Sequence, residues 1–296
     1  MSNNQTLKKP SIAYLGPQGS FSDICVKQIH EKINFEALKP AESLTEVRKL
    51  LVNGEVDFGL FPVENSLGGS VTETLDGLIR ERDDLQVKLE WVLQIRHCLI
   101  GYGQKDSLKE VRAHYQAFYQ CEEFLKINFP NVVKKEFSSN SAAVVSLMGL
   151  NDFEKNETAA ISSKEASKAY SIPIIQQNIN DSENNFTRFW VIGKNDFDLP
   201  LESKQKMVSL AFALPRDEPG GLVHVLSSLA KRGVNLTKIE SRPTKGRLCE
   251  YTFFIDFVGE GPKNEIINEI SAKCSFLRFI GNYPVFPDND SRFPWL

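Results

Sequence analysis

Glu64, Asn65 and Ser66 stand in succession within Pro62-Val63-Glu64-Asn65-Ser66-Leu67-Gly68-Gly69-Ser70-Val71, directly after an apolar run over residues 56–61. The end of a parallel strand opening into a polar, glycine-containing loop is where open α/β sheets place ligands. A carboxylate, an amide and a hydroxyl offer both acceptors and donors there. An ordinary loop leading into a helix cap fits the same spacing. Gly16-Pro17-Gln18-Gly19-Ser20-Phe21-Ser22 joins another strand to a helix. Gly19 and Ser20 at such a turn can aim backbone N–H groups at an anion, or simply make a tight turn with a serine N-cap. The segment has neither the Gly-Lys-Ser/Thr of a nucleotide loop nor a GxGxxG fingerprint. Residues 184–189 set Thr187 and Arg188 ahead of an aromatic strand; by composition alone this says only that threonine favours strands. His97 and His114 could move protons near neutral pH, although isolated histidines are more often structural or simply exposed.

Two further segments lie toward the C-terminus. Gly220, Gly221, Leu222 and Val223 join a strand to a helix, and Glu240, Ser241, Arg242 and Pro243 end the next strand. Both fit turn chemistry. Glycines at a helix N-terminus also let a small zwitterion come close to backbone N–H groups.

The elements that must position these groups fall into two patterns. The 296 residues are 41% hydrophobic with a formal charge of -3 and a pI near 5.9, enough for two domains and without a basic field for nucleic acid or an anionic membrane. The polar start and the lack of a long apolar run point to a cytoplasmic chain. Five scattered cysteines without CxxC pairing and four histidines outside HExxH spacing argue against disulfides and against a metal centre. Through residue 195, strand-like runs at 12–15, 56–61, 92–100, 158–162 and 189–192 alternate with helical spacing, which predicts an α/β fold with largely parallel strands. Ser43-x-x-Glu46 and Ser70-x-x-Glu73 have capping-box spacing. After a polar linker at 195–206, alternation at 208–214, helical spacing at 222–229, strands at 235–240 and 251–257, a weaker helix at 263–273 and a strand at 276–282 give βαββαβ, the ferredoxin-like order. A proline-rich tail follows.

Taken together, the motifs resemble the prephenate dehydratase family over nearly the whole chain. The family's GPxGT/S-F/Y-S start matches residues 16–22, and its P-hydrophobic-E-N-S/T segment with G-x-V matches 62–71. I-x-H-x-L matches 95–99, an SHPQAxxQC-like segment matches 113–121, and N-x-TRF matches 185–189. The C-terminal part is similar to an ACT domain, with GAL-V at 220–223 and ESRP at 240–243. Ala113 replaces a frequent serine, Tyr115 a frequent proline, and Gly221 the alanine of the regulatory motif.

The resemblance implies a two-lobed, type II periplasmic-binding-protein-like catalytic domain over 10–194, with lobe one at about 10–95 and 180–194 and lobe two at about 96–179. It implies an α+β ACT domain over 207–284 and a tail at 285–296. The implied reaction turns prephenate into phenylpyruvate, carbon dioxide and water without a cofactor or metal. Thr187 would hydrogen-bond the departing hydroxyl, with Glu64, Asn65, Ser66 and Gln120 as orienting groups. Gly19, Ser20, Arg188 and Phe189 would help to bind substrate, Arg188 through a carboxylate and Phe189 against the ring. Phenylalanine would bind between ACT domains of a homodimer or homotetramer, at Gly220–Val223 and Glu240–Pro243, and deletion beyond about 204 would leave some activity but abolish the phenylalanine response. An arogenate dehydratase, or a non-catalytic amino-acid sensor of the same fold, is the alternative reading.

Overall fold

The first strand, β1 (Ser11–Leu15), buries Ile12, Ala13 and Tyr14 in a row, as a parallel strand covered on both faces must. The structure is a computed structural model that describes residues 9–80, 85–194, 199, 201, 203, 205–216, 218–244, 250–259 and 264–287. Most of the 195–206 linker, Cys249 and residues 288–296 of the tail lie outside that set. The described residues form two compact units. One holds the chain through Val71 and Val92–Phe189, and the other holds Thr72–Trp91 and everything from Trp190 onward.

In the first unit, α1 (Phe21–Ile33) starts at Ser20, whose hydroxyl accepts from the Asp23 N–H, and stops at Asn34 in the left-handed conformation. After β2 (Ala37–Ala41), α2 (Leu44–Val52) is capped by Ser43. Only half of the expected box forms, because the Glu46 carboxylate accepts from the N–H of Glu42. Strand β3 (Phe58–Asn65) pairs in parallel with β1, as does β2. It runs four residues past the apolar run, because β4 (Gly69–Ser70) folds back antiparallel and pairs Glu64 with Ser70 and Asn65 with Gly69. Glu64 and Asn65 are therefore strand residues. Ser70 belongs to β4, two residues before α3 (Thr72–Arg80) begins.

The apolar stretch at 92–100 divides into the end of β5 (Leu85–Gln94) and the start of β6 (Cys98–Gly101). Next come β7 (Glu110–Ala113), α4 (Tyr115–Gln120), α5 (Glu122–Asn128), β8 (Val133–Glu136), α6 (Asn140–Met148), α7 (Asp152–Glu157), β9 (Thr158–Ser162), α8 (Lys164–Tyr170) and β10 (Ile174–Gln176). They make a sheet in the order β10-β6-β9-β7-β8, with β7 parallel to β8 and β9 and with β6 antiparallel to β9. Strands β7, β8 and β9 each lead toward a helix whose N-cap side chain is His114, Ser139 or Ser163. The chain then returns to the first sheet through β11 (Phe186–Lys194), which lies beside β3 and leaves the unit between Phe189 and Trp190.

In the second unit, β12 (Lys206–Ala213), α9 (Gly221–Ala230), β13 (Leu236–Pro243), β14 (Tyr251–Val258), α10 (Asn264–Ser271) and β15 (Phe276–Phe286) follow the expected βαββαβ order. The strand order β13-β14-β12-β15 is antiparallel, over a core of Val208, Leu210, Phe212, Val225, Leu229 and Ile255. Strand β15 runs to Phe286 because Tyr283 and Val285 keep alternating into the interior, and Val285 and Phe286 pair in parallel with Glu90 and Trp91 of β5. Trp190 donates to the buried Glu90 carboxylate at 2.8 Å and meets Tyr283 edge-on. Helix α3 is fastened to the same sheet by Arg242–Asp76 at 3.1 Å and by Arg278, which donates to the carbonyl of Leu78. Deletion beyond residue 204 would strip β5 of this neighbour and uncover Trp190, so it is not a clean removal of a regulatory part.

Candidate active site

Asn65, at the buried end of β3, makes six hydrogen bonds. Its Oδ1 accepts from the backbone N–H groups of Leu67 (3.1 Å) and Gly68 (2.8 Å) and from Gln120 Nε2 (3.1 Å). Its Nδ2 faces Asn185 Oδ1 (2.8 Å), the Phe186 carbonyl (3.1 Å) and Thr187 Oγ1 (3.0 Å), so two hydrogens serve three acceptors. Backbone donors on one side and a backbone acceptor on the other allow the amide one orientation. The loop's fold keeps Leu67 and Gly68 N–H on Oδ1, and Gly69 closes it at φ +75°, where a side chain would strain the backbone.

The same bonds fix Thr187. The residue is 9% exposed, and its hydroxyl accepts from Asn65 and keeps its own proton for another partner. Across the site, Gln120 at the end of α4 uses Nε2 on Asn65, so its Oε1 meets His97 Nε2 at 2.8 Å. His97 is 1% exposed, its backbone N–H donates to Asn180 Oδ1 at 2.6 Å, and Phe21 packs edge-on against its ring. Its Nδ1 has no hydrogen-bond partner. Burial lowers the His97 pKa to about 4, against a smaller upward pull from the Gln120 bond. At neutral pH the ring is uncharged, which suits a hydrogen-bonding role over proton donation.

Strand alternation separates the other expected residues. Arg188 sits on the opposite face of β11 from Thr187, as does Glu64 from Asn65 on β3, and the two pair at 2.8 Å. Phe189 shares the Thr187 face but is 2% exposed, a core residue without an accessible ring face. Ser66 is exposed and works as a clasp, its hydroxyl donating to the Asn184 carbonyl and accepting from the Phe186 N–H. Gly19 and Ser20 make the capped turn: the Gly19 N–H goes to Asp23 Oδ2 (2.9 Å), and Ser20 caps α1. Asp23, buried and also holding Tyr14 and Lys27, already places a carboxylate at that helix end. The turn faces the start of α8, where Ser163 donates to the Gly19 carbonyl at 2.6 Å.

This placement bears on the departures from the family pattern. Ala113 is fully buried, in a cluster with Leu99, Val111 and Ile161, and Tyr115 is exposed. His114 caps α4 through Nδ1, 3.4 Å from the Gln116 N–H, with its pKa lowered by burial. Among the described residues no group of His, Cys, Asp and Glu is arranged to hold a metal ion, and no helix is long and apolar enough to cross a membrane.

The prephenate dehydratase family model matches residues 12–197, and the ACT domain model matches residues 208–274. The chain belongs to the prephenate dehydratase family. It is 36% identical over 279 residues to prephenate dehydratase of Methanocaldococcus jannaschii, covering 93% of this chain and 98% of that one. It is 34% identical to the bifunctional chorismate mutase/prephenate dehydratase of Aquifex aeolicus, over 94% of this chain and 74% of that protein. Among solved structures, prephenate dehydratase of Arthrobacter aurescens in complex with L-Phe superposes with a TM-score of 0.82 at 28% identity, over 93% and 90% of the two chains. The α/β fold followed by an ACT domain is thus the family's fold.

In the family's ACT region, Gly220 takes φ +86° ahead of α9, and Gly221 lines a cleft of about 470 Å³ with Leu214, His224 and Lys231. Leu222 packs on the core, and Val223 is exposed. Glu240 pairs with Lys238 at 3.2 Å and Arg242 with Asp76, on β13, the outer strand of the sheet, where Ser241 and Pro243 are exposed. The residues expected at the site did not include Asn185 or Asn180, and His97 was considered only as a group that could move protons. His97 and Asn185 lie within the segments 95–99 and 185–189 that resemble family motifs; Asn180 has no signal in spacing or composition.

Proposed function

We propose that this chain converts prephenate to phenylpyruvate, carbon dioxide and water, with phenylalanine as its effector. The carrying observation is the Thr187 hydroxyl, whose oxygen is held by the Asn65 amide while its proton stays available. Loss of the ring carboxyl breaks a C–C bond and sends its electron pair through the ring, and the C–O bond to the ring hydroxyl breaks. Oxygen gathers charge as it leaves, and a Thr187 hydrogen bond strengthens with that charge. The departing hydroxide becomes water by taking a proton from solvent. An incoming N–H from Asn65 polarises the hydroxyl and makes it a better donor.

In this reading residues 10–95 and 180–194 form one lobe and 96–179 the other, and the substrate lies where Asn65 and Gln120 meet. Glu64 and Arg188 act as a matched pair supporting the strand ends, and Ser66 holds the loop. Two copies pair through their ACT regions in the cytoplasm. Backbone N–H groups at Gly220–Val223 hold the phenylalanine carboxylate, and Glu240–Pro243 shape its pocket. The test is phenylpyruvate absorbance on adding prephenate, with arogenate alongside and phenylalanine titrated in. Turnover of prephenate that responds to phenylalanine is expected. Preference for arogenate reassigns the substrate, and inertness toward both sinks the proposal.

A further inference from the structure

The direction of every hydrogen bond in the site can be worked out from the backbone inward. Leu67 and Gly68 donate to Asn65 Oδ1, so that atom is the oxygen. Gln120 approaches the same atom at 3.1 Å and must present its nitrogen there. Its oxygen then faces His97 Nε2 at 2.8 Å, and an amide oxygen can only accept. His97 Nε2 therefore carries the ring proton, and Nδ1, buried and without a partner, is bare. A neutral histidine normally has its tautomer chosen by a carbonyl or carboxylate on Nδ1. Here the choice is made at the other nitrogen, by the side chain that reaches Asn65.

We infer that His97 is a positioning residue for the dehydratase reaction: its Nε2–H locks the Gln120 amide so that the chain His97–Gln120–Asn65–Thr187 runs in one direction and leaves the Thr187 O–H free to hydrogen-bond the substrate's leaving oxygen. The inference rests on the proposed dehydratase function and extends it to a residue that touches neither Thr187 nor substrate. Without the donor, Gln120 Oε1 has a buried lone pair facing no hydrogen, and the amide can swing or turn over. A turned amide sets its oxygen against Asn65 Oδ1, which loosens the group that holds Thr187. His97 does not transfer a proton, so its effect falls on how well the transition state is met rather than on substrate capture.

Four measurements on the full-length protein test this. His97→Leu should lower kcat about 10- to 100-fold, within the range for a misplaced donor, with KM within about threefold of wild type. His97→Gln, which restores an N–H at comparable reach, should recover most of that loss. In a Gln120→Met background, His97→Leu should cost less than about twofold more, because the bond it removes is already gone. A residue that only fills space would give independent, additive losses and no recovery by glutamine; either result overturns the inference. Nitrogen NMR of histidine-labelled wild-type protein should show Nε2 protonated and Nδ1 bare, and a proton on Nδ1 overturns it even if His97→Leu fails to fold. Wild-type protein that ignores prephenate refutes the dehydratase reading alone, and the tautomer measurement still decides the direction of the chain.

Discussion

Asn65→Asp is the sharpest perturbation of the site, since it replaces one nitrogen by oxygen and changes almost no volume. The side that accepts from Leu67, Gly68 and Gln120 is unaffected. The other side turns from donor to acceptor, facing the Phe186 carbonyl at 3.1 Å and Thr187 Oγ1 at 3.0 Å. Asn185 can turn its amide over, because its buried Nδ2 has no partner. Thr187 can respond only by giving its proton to the new carboxylate. A hydrogen bond to a charged group contributes about 1.5–3 kcal/mol, and Thr187 would have to forgo it to meet the leaving oxygen. At 1.36 kcal/mol per tenfold, kcat should fall roughly 10- to 200-fold. Phe186 carbonyl still accepts from the Ser66 N–H, so the stability loss should be modest. Lowering the pH protonates the introduced carboxylate and returns a donor, so the ratio of mutant to wild-type kcat should rise toward acid. Phenylpyruvate absorbance at saturating prephenate, with circular dichroism confirming the fold, measures all of this. A kcat within about twofold of wild type, or a loss confined to KM, would refute the idea that Asn65 reserves the Thr187 proton.

Other substitutions separate chemistry from folding. Thr187→Ala should reduce kcat at least about 100-fold with little change in melting temperature, because the Asn65 amide keeps two other acceptors; near-normal turnover would remove Thr187 from the mechanism. Gly19→Ala should destabilise by about 1–3 kcal/mol, since φ is +80° and the new Cβ would lie 2.6 Å from Ala166 Cα; chemical denaturation measures it. Burial holds the folded His97 pKa at about 4 against 6.5 for the free side chain. The unfolded chain therefore binds a proton in that window that the folded chain refuses. Stability from this group is complete above pH 6.5 and falls between 6.5 and 4 by about 3 kcal/mol; His97→Gln should flatten that part of the pH curve. For the effector, Gly221→Pro should abolish the calorimetric phenylalanine signal while prephenate turnover persists, if the α9 N-terminus holds the ligand's carboxylate.

The fold was legible because each of its signals is local. Periodicity of 2 at 208–214 and of 3.6 at 222–229 is read within one element, and the motifs gave the order of the rest. The site was less so, because its bonds join residues far apart: Thr187 to Asn65 across 122 positions, Gln120 to Asn65 across 55 and His97 to Gln120 across 23. Motif order brought Asn65, Gln120 and Thr187 into one list, but it also brought Glu64, Arg188 and Phe189, and composition could not tell these sets apart. Alternation tells them apart once β3 is known to extend to Asn65, and that extension depends on the two-residue β4, too short to leave a periodic signal. The direction of the hydrogen bonds lies deeper still. An amide turned over has the same composition, size and position, so no pattern of residue types distinguishes it. Two backbone N–H groups, presented by a loop that closes at Gly69 with φ +75°, and the Phe186 carbonyl opposite them decide which atom of Asn65 is the oxygen. From that single choice follow the orientation of Gln120, the tautomer of His97 and the availability of the Thr187 proton, so the chemistry here is specified by a loop conformation as much as by the side chains it serves.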